Sequence, residues 1–97
     1  MNDFGIKDEV IKEIGDIAKI HGVDKVILFG SRARGTYQRT SDIDLAVKGG
    51  NVARFILDIE EETSTLLKYD IVDLDMPVQQ ELLDSIDREG KVLYEKV

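Results

Sequence analysis

The 97-residue sequence contains no cysteine and no apolar run long enough to cross a lipid bilayer. The lack of cysteine suits a reducing compartment, although it excludes little by itself. A membrane-spanning helix needs about 20 predominantly apolar residues, and the first residues also lack the basic-then-apolar pattern of a secretion signal. We therefore predict a soluble, cytoplasmic protein with no membrane partner.

Basic residues are scarce: 13 Lys and Arg stand against 20 Asp and Glu, which gives a formal net charge of −7. Most of such a surface repels the phosphates of long nucleic acid, so strong binding to DNA or RNA is not expected. A protein partner or a small nucleotide suits this charge better. The length predicts one domain over residues 1–97, with little chain left for a separate lid or base-recognition domain.

The single histidine, His21, follows a helical pattern that runs from about Lys7 to Ile20 and stops at Gly22. A lone histidine invites a catalytic interpretation. A histidine at a helix end usually interacts with the last carbonyl groups instead. We interpret this first helix as scaffold and do not assign His21 to the chemistry.

The candidate functional residues lie in the segment that follows a short apolar strand, Lys25–Phe29, and in a second strand predicted over Asp42–Lys48. In the second strand Asp42 and Asp44 alternate with apolar residues, so both carboxylates point to the same face, about 6.6 Å apart along the strand. Two carboxylates this close disfavour joint ionisation unless a cation lies between them. The pattern predicts a site for a hard divalent metal ion.

Gly30 and Ser31 follow the first strand and supply features of a phosphate site. Gly30 permits a sharp backbone turn that directs neighbouring N–H groups toward an anion, and Ser31 adds a hydroxyl donor. Residues 31–41 contain three arginines and no acidic residue, although the whole chain is acidic. Together with the aspartates, this arrangement fits a metal-bound polyphosphate.

Gly30-Ser31, followed after ten residues by Asp42-Ile43-Asp44, resembles the signature of the DNA polymerase β type nucleotidyltransferase superfamily. More narrowly, the segments Gly30–Gly35 and Ser41–Leu45 resemble the minimal nucleotidyltransferases, the MNT group, which are often encoded beside HEPN-domain proteins as antitoxins. The similarity covers nearly the whole chain. Either half of the motif alone would be weak evidence, whereas the combination is specific.

The resemblance implies a third carboxylate in a Val-Asp-Leu context on the third strand, which Asp73 matches. Asp42, Asp44 and Asp73 are therefore expected to hold Mg²⁺ in a two-metal arrangement, with Mn²⁺ as an alternative ion, and Asp73 also to act as general base. Asp70 and Asp75 are left open as strand-end carboxylates. For the phosphates we select Gly30, Ser31 and Arg34, although the comparison does not distinguish Arg34 from Arg32.

The remaining pattern predicts a second helix capped by Asn51, a third strand over Tyr69–Met76, and a third helix that begins at Pro77 and ends at Gly90. A short final strand or tail is expected over Lys91–Glu95. We predict an α/β fold with a small mixed sheet and helices on one face, which the resemblance makes polymerase β palm-like. The first two strands should be antiparallel, and the second and third parallel.

By resemblance, the function is transfer of a nucleoside monophosphate from ATP or another NTP, with AMP from ATP preferred, to a hydroxyl on a HEPN-type partner, as the antitoxin of a toxin–antitoxin pair. The alternative is a catalytically weak or silent subunit that binds and neutralises a partner. The acidic run on the second helix is interpreted as a solvated face rather than a docking surface. Base preference, acceptor and homo-oligomer formation are left open.

Overall fold

The computed structural model describes residues 2–97, which form helices and strands in alternation over most of their length. In chain order the elements are α1 (Asp8–Ile20), β1 (Lys25–Phe29), α2 (Gly30–Arg34), β2 (Ile43–Lys48), α3 (Val52–Glu62), β3 (Tyr69–Asp73), α4 (Gln80–Glu89) and β4 (Lys91–Glu95). The expected α/β class is confirmed.

The four strands form one mixed sheet in the order β3-β2-β1-β4. β1 pairs antiparallel with both β2 and β4. Residues 30–42 return the chain from β1 to β2, whereas β4 follows α4 and reaches the other side of β1 from a distant part of the chain. β2 and β3 are parallel, since α3 carries the chain back across the sheet before β3 begins. Both predicted strand relations are confirmed.

The main core lies between one face of the sheet and helices α1 and α3. Apolar residues at helical spacing on α1 meet the alternate residues of the strands that point to this face. Its fully buried members include Val10, Ile14, Val26, Leu28, Ile43, Leu45, Val47, Phe55 and Ile59. At about 25 cal/mol per Å² of apolar area, this burial is the main force that holds the sheet to its helices.

α4 lies on the opposite face of the sheet. Gly90, which follows α4, packs against Ile27, whose side chain points away from that of its neighbours Val26 and Leu28. Ile86 of α4 is buried outside the main core cluster. The predicted packing on one face therefore describes α1 and α3, while α4 covers part of the second face beside β1.

Some elements differ from the predictions, and β2 begins at Ile43 rather than Asp42. Residues 30–34 form the short helix α2, where a loop was expected. The third strand ends at Asp73, because the N–H of Met76 bonds to the Asp73 carbonyl in a turn, and α4 begins at Gln80 rather than Pro77. The predicted cap of α3 is confirmed, since the Asn51 side chain accepts the N–H of Arg54.

Candidate active site

Gly30 joins β1 to α2 and lies directly against Asp44 of β2. Its φ of +74° falls in the left-handed region, which side-chain-bearing residues rarely adopt. A Cβ at this position would overlap the Asp44 carboxylate. Glycine is therefore required both by the turn and by the close approach, and it places the first turn of α2, with Gly30 and half-buried Ser31, beside Asp44.

Three carboxylates gather at this end of the sheet. Asp44 of β2 lies opposite Asp70 of β3 in the parallel register, and Asp42 immediately precedes β2. Burial, followed by the charges of Asp70 and Asp42, raises the pKa of Asp44 above its ordinary value, and the weaker attraction of Arg34 and Arg32 does not cancel this. The ionised form of Asp44 is therefore disfavoured in the free protein, and a bound cation would stabilise it.

The structure does not bring Asp73 into this group, which corrects the assignment of the third carboxylate. Asp73 pairs with Val47, about 10 Å along β3 from Asp70. An odd separation on a strand also points the two side chains to opposite faces. Asp73 instead accepts the N–H of Asp75 at 2.9 Å, in the turn that ends β3. The carboxylate beside Asp44 is Asp70.

The two arginines that sequence reasoning left undistinguished have different environments. Arg32 is 1% exposed, and its guanidinium bonds to backbone carbonyls, which leaves it unable to reach a phosphate. The Arg34 side chain is 46% exposed and pairs with Glu89 at 3.0 Å. Of the two, Arg34 is the one whose side chain lies at the surface.

His21 lies away from the carboxylates. Its ring contacts Asp58 of α3 at 2.5 Å, and its carbonyl accepts the N–H of Asn51. Asn51 follows the far end of β2 from Asp44. His21 thus joins α1 to α3: its ring contacts a carboxylate of α3 rather than the last carbonyl groups of α1 as expected, and it takes no part in the carboxylate group.

The chemistry of the carboxylate group fits a hard divalent ion, since every donor is a carboxylate oxygen and the mutual repulsion needs a cation. Within residues 2–97, however, no three His, Cys, Asp or Glu side chains already converge to enclose a metal. Mg²⁺ usually binds through one or two carboxylates, substrate phosphates and several waters. Asp42, Asp44 and Asp70 suit that partial coordination rather than an all-protein cage.

The carboxylate group lies on an open part of the surface. Five surface clefts among residues 2–97 have volumes between about 230 and 620 Å³, and Asp44 and Asp70 line none of these five. Asp42 and Asp70 are exposed and Asp44 is half-buried, so the three carboxylates form an open shelf at the end of the sheet rather than the lining of a cleft.

No helix within the described residues is long and apolar enough to cross a membrane.

A glycine turn and carboxylates on adjacent strands of a small mixed sheet define a nucleotidyltransferase. The chain belongs to the family described as "Polymerase beta, Nucleotidyltransferase", whose model matches residues 12–97. It is 34% identical over 100 residues to a Methanocaldococcus jannaschii protein named "Putative protein adenylyltransferase", a match that covers 91% of this chain and 98% of the relative.

Solved structures show the same relationship. A toxin–antitoxin with AMP-PNP matches with a TM-score of 0.70 and 28% identity, covering 89% of this chain and 73% of the other. A mutant of the toxin–antitoxin MntA–HpeT gives a TM-score of 0.69, 26% identity and the same coverages, 89% and 73%. A structure described as "a putative nucleotidyltransferase from Sulfolobus solfataricus" matches with a TM-score of 0.55 and 26% identity, over 90% and 78% of the two chains.

Proposed function

We propose that this nucleotidyltransferase transfers AMP from ATP to a hydroxyl group on a HEPN-type partner protein, as the antitoxin of a toxin–antitoxin pair. The observation that carries the chemistry is the pairing of Asp44 with Asp70 beside Gly30. The names of the similar proteins, a protein adenylyltransferase and a toxin–antitoxin with AMP-PNP, support adenylyl transfer and a protein acceptor.

Each residue of the group has a distinct task in this proposal. Gly30, Ser31 and Arg34 bind the phosphates, while Asp42, Asp44 and Asp70 hold the ion. Mg²⁺ is the expected ion, and when bound it neutralises the charge that develops on the phosphate oxygens. Since β3 is an edge strand, an acceptor can approach Asp70 from outside the sheet.

The transfer is an in-line displacement at the α-phosphorus. The acceptor oxygen forms a bond to phosphorus as the bond to the bridging oxygen breaks, and pyrophosphate leaves. Asp70, the carboxylate nearest the open edge, accepts the proton of the acceptor hydroxyl. General-base action of this kind contributes about 10²- to 10⁴-fold in rate.

The test uses ATP labelled at the α-phosphate, the purified chain and a HEPN-domain protein. We expect negligible turnover by the chain alone and magnesium-dependent labelling of the partner in the mixture. Asp70→Asn should lower labelling by about hundredfold or more, whereas the matched variant Asp73→Asn, three residues away, should keep most of it. If Asp73→Asn lowers labelling more than Asp70→Asn does, Asp73 is the third carboxylate of the site.

The same mixture decides between the enzyme and a silent binding subunit. In the double variant with Asp42→Asn and Asp44→Asn, labelling should disappear. If wild type transfers no label, and the double variant still binds and silences the partner as well as wild type does, the chain is a binding subunit and the proposed transferase function is wrong.

A further inference from the structure

Arg32 is a fully charged side chain buried at the base of the active site. Only 1% of it is exposed, and it belongs to α2, between the phosphate residues Gly30 and Arg34. The N–H groups of its guanidinium donate to backbone carbonyl oxygens. The guanidinium also lies over the ring of Tyr37, with 4.8 Å between the guanidinium carbon and the ring centroid.

Two separate segments of the chain supply the carbonyl groups. Nη1 donates to the N-terminal segment, and Nε and Nη2 donate to the loop before β2. The acceptors are the carbonyl oxygens of Phe4 at 3.0 Å, Gly5 at 3.2 Å, Gln38 at 3.5 Å, Arg39 at 3.2 Å and Ser41 at 3.0 Å from Nε and 2.9 Å from Nη2. One guanidinium therefore ties three parts of the chain together.

The strongest of these connections is made to the residue before Asp42. The Ser41 carbonyl accepts two bonds from Arg32, one from Nε and one from Nη2. That carbonyl belongs to the peptide unit that joins Ser41 to Asp42, and a peptide unit is planar. Fixing its oxygen in two directions fixes the orientation of the plane, and with it the start of Asp42.

We infer that Arg32 is a positioning residue, which holds the peptide between Ser41 and Asp42 so that the Asp42 carboxylate stays in place beside Asp44. The inference assigns Arg32 no contact with phosphate, and it rests on the proposed function only insofar as Asp42 holds the ion. The N-terminal carbonyls of Phe4 and Gly5 are the second anchor of the same guanidinium.

The chemistry of the side chain explains why arginine occupies this position. A guanidinium presents five donors in a rigid planar fork, whereas a lysine ammonium is a compact point charge with three donors. Arg32→Lys therefore keeps the charge but cannot donate hydrogen bonds to residues 4–5 and residues 38–41 at the same time. The carbonyl groups released near Ser41 become free to turn, and the segment 38–42 loosens.

Gly5→Ala disturbs Arg32 without replacing it. A Cβ at Gly5 would lie 2.8 Å from Arg32 Nη1 and 2.7 Å from a ring carbon of Tyr37, and the φ of +68° adds backbone strain. Gly22→Ala is its control, because Gly22 has a φ of +66° with nothing within 4 Å of an added Cβ. Arg54→Lys, on an exposed position of α3, is the control for Arg32→Lys.

Two measurements are made on each variant, at a temperature where it is folded. In Arg32→Lys and Gly5→Ala, amide hydrogen exchange should accelerate by about tenfold or more at residues 38–43, with no comparable change in α3. The affinity for Mn²⁺ alone, followed by its paramagnetic resonance signal, should fall by at least about tenfold, or 1.4 kcal/mol. In both controls, the Mn²⁺ affinity and the exchange at residues 38–43 relative to that in α3 should match wild type within about twofold.

Unchanged exchange at residues 38–43 in the folded Arg32→Lys variant would overturn the inference. An equal acceleration throughout the chain would also overturn it, because Arg32 would then be a general stabiliser of the fold. If wild type binds no Mn²⁺ and labels no partner, the proposed function fails, while the exchange measurement still decides whether Arg32 positions the segment.

Discussion

At the scale of single residues, the backbone of Gly30 lies directly against the carboxylate of Asp44 in the candidate active site. The backbone of one element and the carboxylate of another occupy adjoining space, so neither can change without moving the other. The glycine turn and the acidic pair are thus one structural unit. Their joint occurrence in the sequence has a steric cause as well as a chemical one.

Gly30→Ala is expected to lower both stability and nucleotidyl transfer. The left-handed backbone alone costs a side-chain-bearing residue about 1–2 kcal/mol, and Gly22→Ala measures that cost where an added Cβ meets open space. The overlap with Asp44 should make Gly30→Ala the more destabilising of the two by at least about 1 kcal/mol. Urea unfolding of both variants makes the comparison, and equal losses would remove the steric argument.

Asp44→Asn should abolish transfer yet leave the melting temperature of the metal-free protein unchanged or higher at pH 7. Because burial and the charges of Asp70 and Asp42 raise the pKa of Asp44 above 3.8, its ionisation opposes folding. The favourable contribution of protonated Asp44 is complete below about pH 3.8 and is lost as the pH rises through the higher folded-state pKa.

Calorimetry without metal at pH 7 and near pH 4, beside an activity assay, tests the sign of this effect. The advantage of Asp44→Asn should shrink toward the lower pH, where wild-type Asp44 also becomes protonated. A large loss of metal-free stability at pH 7 would mean that Asp44 is a structural partner of the nearby arginines. The assignment of Asp44 to the metal site would then be wrong.

At the scale of elements, the start of β3 is held to the end of α3 by a hydroxyl pair. The Tyr69 hydroxyl lies 2.8 Å from Oγ1 of Thr63, and Thr63 also donates to the Ile59 carbonyl. Tyr69 immediately precedes Asp70, and β3 is an edge strand. The pair therefore anchors the strand end that carries Asp70.

Tyr69→Phe should lower the free energy of unfolding by about 1 kcal/mol, the usual net value of one hydrogen bond. Burial raises the pKa of Tyr69 above 10.0, so the neutral phenol favours folding, and wild type should lose stability as the pH rises above 10 through the folded-state value. Tyr69→Phe removes that alkaline loss. Urea unfolding at pH 7 and above pH 10 measures both effects, with Tyr94→Phe as control. If Tyr69→Phe loses as much stability above pH 10 as wild type does, ionisation of Tyr69 is not the cause of that loss.

At the scale of the whole molecule, the active site is an open shelf. α1 and α3 cover the main core face, and α4 covers part of the other beside β1. Little of the chain is then left to enclose a nucleotide base. Exclusion of water from the reaction would require a second component, in keeping with the proposed protein acceptor.

The isolated chain should therefore bind ATP, GTP and CTP with similar, weak affinities that require magnesium. Binding would rest on the phosphates, which the three nucleotides share, through Gly30, Ser31 and Arg34. Isothermal titration with each nucleotide measures the difference. A preference above about tenfold, or 1.4 kcal/mol, would reveal a base pocket and contradict the open-shelf description.

Local pattern was enough to predict much of the fold. β1 and β4 have the predicted bounds, since short strands closed by glycine or a chain turn are readable from neighbouring residues. The Asn51 cap depends on a bond only three residues away. The Gly30 turn likewise follows from backbone preference, since glycine adopts the left-handed φ of +74° without steric cost.

Tertiary structure alone decided which distant residues meet. Strand period allowed either Asp70 or Asp73 to join the site, and only the register of β3 on β2 places Asp70 opposite Asp44. Arg32 and Arg34 are two residues apart in one motif, yet packing of the N-terminal segment buries the first while the second stays exposed. Register and burial depend on the whole chain at once, because a single shift changes every cross-strand neighbour, and no local pattern contains that information.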